Sequence, residues 1–314
     1  MRGQFDFERA AQRFGRAFLG ARLNLQAARA AAVFATGRRH FLFENAPRLH
    51  RLIGLSLKAA GIYGIGARGF RDIRIVDHHA FIPGLPPAFE GFVILQLSDL
   101  HLDLDPTLTN VILNRLSGCR YDICVFTGDY RNLTHGPFNI AVDEMERLVR
   151  ALIAPAYAIL GNHDFIESVD DLEATGLRFL VNEGVEIERC GARLALLGVD
   201  DPNVYMTDNL PRAMDAVDSS LPTVLLSHSC CLYRRARALG IDFMLSGHTH
   251  GGQICLPGGV AVITSEPSPR RMVRGPWRYG NLSGYTSPGT GSCALPLRFF
   301  CPPEITRHHL HAAR

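Results

Sequence analysis

Short, almost purely apolar runs alternate along this chain with longer segments of helical period. The apolar runs fall at residues 92–97, 123–126, 156–160, 223–226 and 241–245 and are rich in Val, Ile, Leu or Phe. Nearly continuous apolar character over four to six residues predicts strands buried on both faces. Further strands are expected at 185–188, 194–199 and 260–264. Helices are expected at 105–117, 139–153, 169–175, 208–217 and 230–239, the first opened by Asp105 as N-cap with Pro106 behind it. The alternation predicts an α/β fold with its helices outside.

The N-terminal quarter follows a different pattern. Phe7, Ala11, Phe14, Phe18, Ala21, Leu25, Ala28 and Ala32 recur in steps of four and three, which predicts one helix over 4–32. Phe7, Phe14, Phe18 and Leu25 share a face, and Arg9, Arg13 and Arg16 lie opposite. A basic amphipathic helix of this kind suits a membrane interface. The same stripe would serve a helix docked on the protein body or a coiled-coil arm. On a membrane, Arg22 and Arg29, close to the apolar face, would have to snorkel. A second basic stretch, 37–74, holds Arg38, Arg39, Phe41 and Phe43 and the apolar run 52–57. Its apolar residues outnumber what base stacking needs, so nucleic acid is not the expected partner. The Pro-rich turn at 83–87 suggests a boundary, with a basic helical extension and linker at 1–88 and the main domain at 89–314.

Charge sharpens this division. Residues 1–74 hold 14 basic residues against four acidic ones, a net of +10, while the remainder holds 19 against 26, a net of −7. A basic head on an acidic body is expected to meet something anionic, here a membrane surface through residues 1–74. No signal-peptide core forms, because Arg interrupts every N-terminal apolar stretch. The best candidate span, 52–67, is divided by Lys58 and is too short to cross a bilayer. Eight scattered cysteines without a Cys-x-x-Cys pair read as reduced thiols with no metal role. The expected location is cytoplasmic, peripheral to the inner membrane.

The chemistry sits just past the apolar runs. The clusters are Ser98-Asp99-Leu100-His101, Thr127-Gly128-Asp129, Gly161-Asn162-His163-Asp164, Ser227-His228 and Gly247-His248-Thr249-His250. Polar groups past the carboxyl ends of several strands are where open α/β sheets place their sites. In an extended backbone His248 and His250 would face one site together. Asp and imidazole in mixture suit borderline divalent metals such as Mn, Fe or Zn. Near the C-terminus, Arg270, Arg271, Arg274 and Arg278 surround Trp277, either as a loop offering guanidinium forks and an aromatic face to substrate or as a solvated basic loop. Gly289-Thr290-Gly291-Ser292 reads as a turn before the last strand, since no Lys-Ser/Thr follows as in a phosphate loop.

The five clusters, in this order, resemble the calcineurin-like metallophosphoesterases over roughly residues 91–314. The run Gly247-His-Thr-His-Gly-Gly-Gln-Ile-Cys-Leu-Pro257 and the stretch 296–305 resemble a bacterial branch of membrane-associated phosphodiesterases and a UDP-2,3-diacylglucosamine pyrophosphatase. Many relatives carry Gly-Asp-x-x-Asp; here the last position is Asn132. The resemblance implies a four-layer α/β/β/α sandwich with two divalent ions, manganese first. It assigns Asp99, His101 and His250 to one ion, Asn162, His228 and His248 to the other, and Asp129 to both. It implies attack of a bridging hydroxide on phosphorus, with His163 catalytic and Asp164 orienting it. The expected activity is cleavage of a phosphodiester or pyrophosphate, with a lipid-linked substrate favoured and a UDP-2,3-diacylglucosamine-type compound the first choice. Two alternatives stay open: a soluble esterase acting on nucleotides, nucleic acid or phosphoproteins, and a non-catalytic metal-dependent scaffold.

Overall fold

The computed structural model describes residues 5–34, 46–264 and 266–313. The basic run at 38–43 lies outside the described residues.

Continuous apolar runs demand cover on both faces, and two facing sheets with helices outside provide it. In chain order the helices are α1 (Phe7–Phe14), α2 (Arg16–Phe34), α3 (Pro47–Ala59), α4 (Tyr63–Arg71), α5 (Leu108–Leu116), α6 (Asn139–Val149), α7 (Val169–Glu173), α8 (Leu210–Met214) and α9 (Tyr233–Ala238). The strands are β1 (Arg74–Ile82), β2 (Val93–Leu97), β3 (Ile123–Phe126), β4 (Ala156–Ala158), β5 (Leu177–Phe179), β6 (Glu183–Arg189), β7 (Ala192–Gly198), β8 (Thr223–Leu226), β9 (Phe243–Ser246), β10 (Cys255–Leu256), β11 (Val260–Ala261), β12 (Gly275–Tyr279), β13 (Leu282–Thr286) and β14 (Glu304–Ala312). One sheet has the order β1-β14-β2-β3-β4-β5, the other β12-β13-β9-β8-β7-β6, and β10 and β11 form a separate hairpin. Ile94, Val125 and Ile159 of the first sheet meet Leu196, Val224, Leu226, Phe243 and Leu245 of the second in the central core. Leu95, Leu97 and Phe126 turn the other way, toward α5 and α6, while Leu197, Leu225 and Met244 meet α8 and α9. The result is the four-layer α/β/β/α sandwich.

Three expectations change. The segment 4–32 is two helices, because Gly15 takes φ 92° and ends the first. Its apolar stripe also faces the protein: Ala10, Ala11, Phe14 and Leu19 are buried in the core beneath the first sheet. Arg13 donates to Glu183, Glu173 and the Phe179 carbonyl, and Arg22 is wholly buried against Asp200. Finally, the turn at 83–87 lies behind a strand of the main sheet, since β1 pairs in parallel with β14 from Arg74↔Glu304 to Ile82↔Ala312. Local pattern could not reveal this pairing, whose partners are 230 residues apart. Among the described residues, no helix is long and apolar enough to cross a membrane.

Candidate active site

Each parallel strand near the centre of the two sheets ends in a turn at one common edge. Asp99 and His101 follow β2, Asp129 follows β3, Asn162 to Asp164 follow β4, His228 follows β8, and His248 and His250 follow β9. Asp99, His101, Asp129, His248 and His250 all have positive φ, from 45° to 70°. That conformation is uncommon outside glycine and is tolerated best by Asn, Asp and His. Five such residues at one edge show local backbone strain concentrated where chemistry is expected. They also correct the extended reading of His248 and His250. Thr249 between them is right-handed, so the pair turns and its two rings diverge.

The side chains converge in two groups sharing one carboxylate. His250 Nε2 lies 3.6 Å from Asp99 Oδ1 and 3.1 Å from His101 Nε2. On the other side, His228 Nε2 lies 3.1 Å from Asn162 Oδ1 and 3.2 Å from Asp129 Oδ2. Asp129 Oδ2 is also 3.8 Å from both His101 Nε2 and His163 Nε2. Donor atoms lie within 4.8 Å of one another in Asp99/His101/His250, in Asp129/His228/His248 and in His101/Asp129/His163.

The tautomers follow from main-chain contacts. His101 Nδ1 donates to the Arg131 carbonyl and His228 Nδ1 to the Thr127 carbonyl, each at 2.7 Å. In the neutral rings each Nε2 is thereby the lone-pair nitrogen, and it faces carboxylate, amide or imidazole atoms. Converging lone pairs of N and O with carbonyl-anchored imidazoles are the donor chemistry of a divalent cation site. Asn203 engages His248 Nε2 at 2.9 Å, which leaves Nδ1 as that ring's other nitrogen.

Electrostatics reflect the crowding. Burial drives the Asp129 carboxyl up, but His228 and His163 outweigh it and hold it well below the usual range. Burial pulls His228 down, yet Asp129 lifts it well above an ordinary histidine. Asp99 is pushed up by burial and by Asp129. Burial holds His163 down at about 3.

One expected role is reassigned. The Asp164 carboxylate accepts the amides of Asp129, Tyr130 and Gly161 at 2.7, 2.9 and 2.8 Å. It ties the β3 and β4 turns together and does not meet the His163 ring. His163 Nδ1 instead donates to the Asn132 carbonyl. Three amides already occupy the carboxylate, so orientation of the ring falls to the backbone at the position where the motif departs from Asp.

The Arg270–Arg278 segment divides. Trp277 is buried, with Nε1 donating to Thr286 Oγ1 at 2.9 Å, so its ring offers no face to a substrate. Arg278 donates to the Gly280 carbonyl in the β12–β13 turn. Arg274 alone reaches the site's rim, its Cδ lying over Gly251 beside His250. Arg270 donates to the Ala261 carbonyl of β11, and Arg271 is exposed on the same turn.

Sequence reasoning missed Arg298. This buried guanidinium donates to the carbonyls of Pro288, Gly291 and His250 and meets His250 Nδ1 at 3.3 Å. It braces the 287–291 loop, whose Thr290 and Gly291 amides donate to the Ser98 and Asp99 carbonyls at 2.7 and 3.0 Å. An Arg within an apolar C-terminal run carries no local signal of such a role. Gly247 has a local reason: a Cβ there would collide with Ser98 Oγ and the Asp99 carboxylate. Gly247→Ala is therefore expected to displace Asp99 and lower kcat by about 10²-fold, as misplacement by an ångström does. Wild-type kcat in a folded variant would contradict that contact.

The chain belongs to the calcineurin-like phosphoesterase family, whose pattern matches residues 92–252. Among its relatives, the uncharacterized metallophosphoesterase YkuE of Bacillus subtilis is 30% identical over 264 residues, covering 80% of this chain and 90% of YkuE. YkoQ of the same organism, also an uncharacterized metallophosphoesterase, is 28% identical over 236 residues, 71% of this chain and 85% of YkoQ. The phosphodiesterase YaeI of Escherichia coli is 28% identical over 232 residues, 68% of this chain and 80% of YaeI. The protein is thus an enzyme of metal-dependent phosphoester hydrolysis.

Proposed function

We propose that the enzyme cleaves a phosphodiester or pyrophosphate bond in a lipid-linked substrate. The observation that carries the hydrolytic reading is Asp129, buried between two donor groups and within 3.8 Å of His101, His163 and His228. Asp99, His101 and His250 would hold one divalent ion, Asn162, His228 and His248 a second, with Asp129 between them. Manganese fits this N/O donor set, with iron or zinc as alternatives. Ions so held supply Lewis-acid polarisation of the phosphoryl group and an activated water.

The chain's own residues do the rest. Arg298 and the Asn132, Arg131 and Thr127 carbonyls fix imidazole orientation. With Nδ1 anchored on Asn132, His163 presents Nε2 toward Asp129. Burial keeps this ring neutral in the free enzyme, and a bound phosphate anion would favour uptake of a second proton from solvent at Nε2. From there the proton stabilises a phosphoryl oxygen or passes to the leaving oxygen. Support for a lipid-linked substrate comes from the charge asymmetry: a head of net +10 on a body of net −7. A UDP-2,3-diacylglucosamine-type pyrophosphate is the first compound to test.

The test compares hydrolysis of a nucleotide-sugar lipid, a glycerophosphodiester and a phosphomonoester by the full chain with Mn²⁺ and vesicles. The lipid-linked substrate is expected to be fastest, and His163→Gln to lower kcat on it by about 10²-fold. Preference for the monoester would overturn the reading.

A further inference from the structure

Lipid interfaces are met by exposed apolar side chains flanked by cations and free of acidic residues. Two stretches of this chain have that composition. Residues 46–71 contain five basic residues and no Asp or Glu, and residues 254–264 contain no charged residue. Folding does not bury their large apolar side chains. Leu52, Leu55 and Ile65 on α3 and α4 are more than half exposed, as are Leu256 and Val260 on the β10–β11 hairpin and Ile263 just past it, Ile263 reaching 77%. Arg48, Arg51, Lys58 and Arg68 are exposed around the first group.

The two groups lie on either side of one strip of chain, residues 297–300. On one side α4 packs so closely that a Cβ on Gly66 would strike the Phe299 ring, and the Arg298 amide donates to the Gly66 carbonyl at 3.0 Å. On the other side Ile254 bridges to Phe299, and the Cys255 amide donates to the Phe299 carbonyl at 2.9 Å. Phe300, also more than half exposed, extends the strip between them. The strip itself is anchored at the candidate centre, since Arg298 bonds both the carbonyl and ring of His250. The hairpin likewise begins only three residues after the His250–Gly252 turn. Cations continue past the hairpin: Arg270 bonds its Ala261 carbonyl, and an Arg274 guanidinium nitrogen lies 3.1 Å from where a Cβ on Gly259 would be.

We propose that α3–α4, Phe300 and the β10–β11 hairpin form one docking surface for an anionic lipid bilayer, placed at the rim of the candidate centre. The surface differs from the α1–α2 stripe, whose apolar residues pack largely on the protein body. Docking there sets the centre against the headgroup layer, where a phosphate ester with acyl chains still in the membrane reaches it. Arg48, Arg51, Lys58 and Arg68 meet lipid phosphates, and the apolar side chains insert below them. A two-fold contact through this same patch would set these cations against their own counterparts on a second copy. This role rests on the lipid-linked reading for its purpose, but binding can be read without turnover.

The experiment is flotation of the full chain with phosphatidylcholine vesicles, with and without phosphatidylglycerol, at low and high salt. It compares wild type with Val260→Asp/Ile263→Asp and with Leu52→Gln/Leu55→Gln. Wild type is expected to float with the anionic vesicles only and to be released by salt, and each double variant to bind about ten-fold more weakly. Hydrolysis of a soluble chromogenic diester is expected to stay within about two-fold of wild type in both, which shows an intact site and fold. Wild-type flotation by both variants would overturn the proposal. So would a dimer in light scattering that the same substitutions dissolve, because the surface would then belong to a second copy. If the variants lose binding while vesicle-borne esters are cleaved no faster than soluble ones, the surface stands and the lipid-linked substrate falls.

Discussion

Asp129→Ala is expected to lower kcat on a chromogenic diester by about 10³-fold with Mn²⁺ present, the largest effect of any single substitution at the centre. On the proposed reading Asp129 would be the shared ligand of a two-ion site, where several kcal/mol of charge stabilisation are at stake, and each 1.4 kcal/mol is about ten-fold in rate. Asp129 does more than face three imidazoles: its Oδ1 accepts the His163 amide at 2.9 Å, so it also places the turn that carries His163. Asp129→Asn keeps an acceptor for that amide and loses the charge. Its kcat should fall less, and the difference separates the anchoring of the turn from the metal-facing role. Stability should not fall in step, because Asp129 lies among several buried carboxylates and raises the proton affinity of both Asp99 and Asp164. Kinetics, metal analysis and thermal melting on one preparation test this. A folded Asp129→Ala variant within ten-fold of wild type would remove Asp129 from the mechanism.

The second large effect lies in the N-terminal arm. Arg22 donates to Asp200 Oδ2 at 2.8 Å and to the Asp164 carbonyl at 3.1 Å, both fully buried, and its guanidinium lies 3.6 Å over the Tyr205 ring. Arg22→Met would leave the Asp200 charge buried without its partner, which costs about 3–5 kcal/mol. Adding Asp200→Leu should restore much of that stability, since an apolar pair often replaces a buried ion pair without loss. Activity should not return with it. The 162–165 turn, which carries His163, and the 200–207 loop, which carries Asn203 against His248, are both held by Arg22. Denaturant titration gives the stability terms and kcat the positioning term. A loss below about 1 kcal/mol in Arg22→Met would show that Asp200 finds another partner.

Much of the candidate site was legible before folding because its signals are local. A strand buried on both faces must read as an apolar run, and the turn behind it must carry residues that accept left-handed φ. Asp99, His101, Asp129, His248 and His250 satisfy the second demand and supply donor chemistry as well. The N-terminal helix was legible in period but not in destination. Its face of Phe7, Phe14, Phe18 and Leu25 suits a bilayer and a protein core equally. The core took Phe14, while Leu25 remains 40% exposed. The resemblance implied that Asp164 orients His163, whereas three amides in space set where its carboxylate points. Trp277 was misread because composition cannot tell a buried strand residue from a loop platform.

By itself, then, the sequence determined the central strands, the donor residues behind them and the class of chemistry. Those depend on side-chain polarity and backbone preference over a few residues. Tertiary structure decided which donors meet. The His248 amide reaches Asp99 Oδ1, 149 residues away, at 2.9 Å, and Arg298 reaches His250 across 48. It also decided that Arg22 belongs to the protein interior and that apolar residues of α3, α4 and the β10–β11 hairpin stay exposed. Contacts between distant segments depend on how the two sheets and their helices pack together, and no short window of sequence contains both partners.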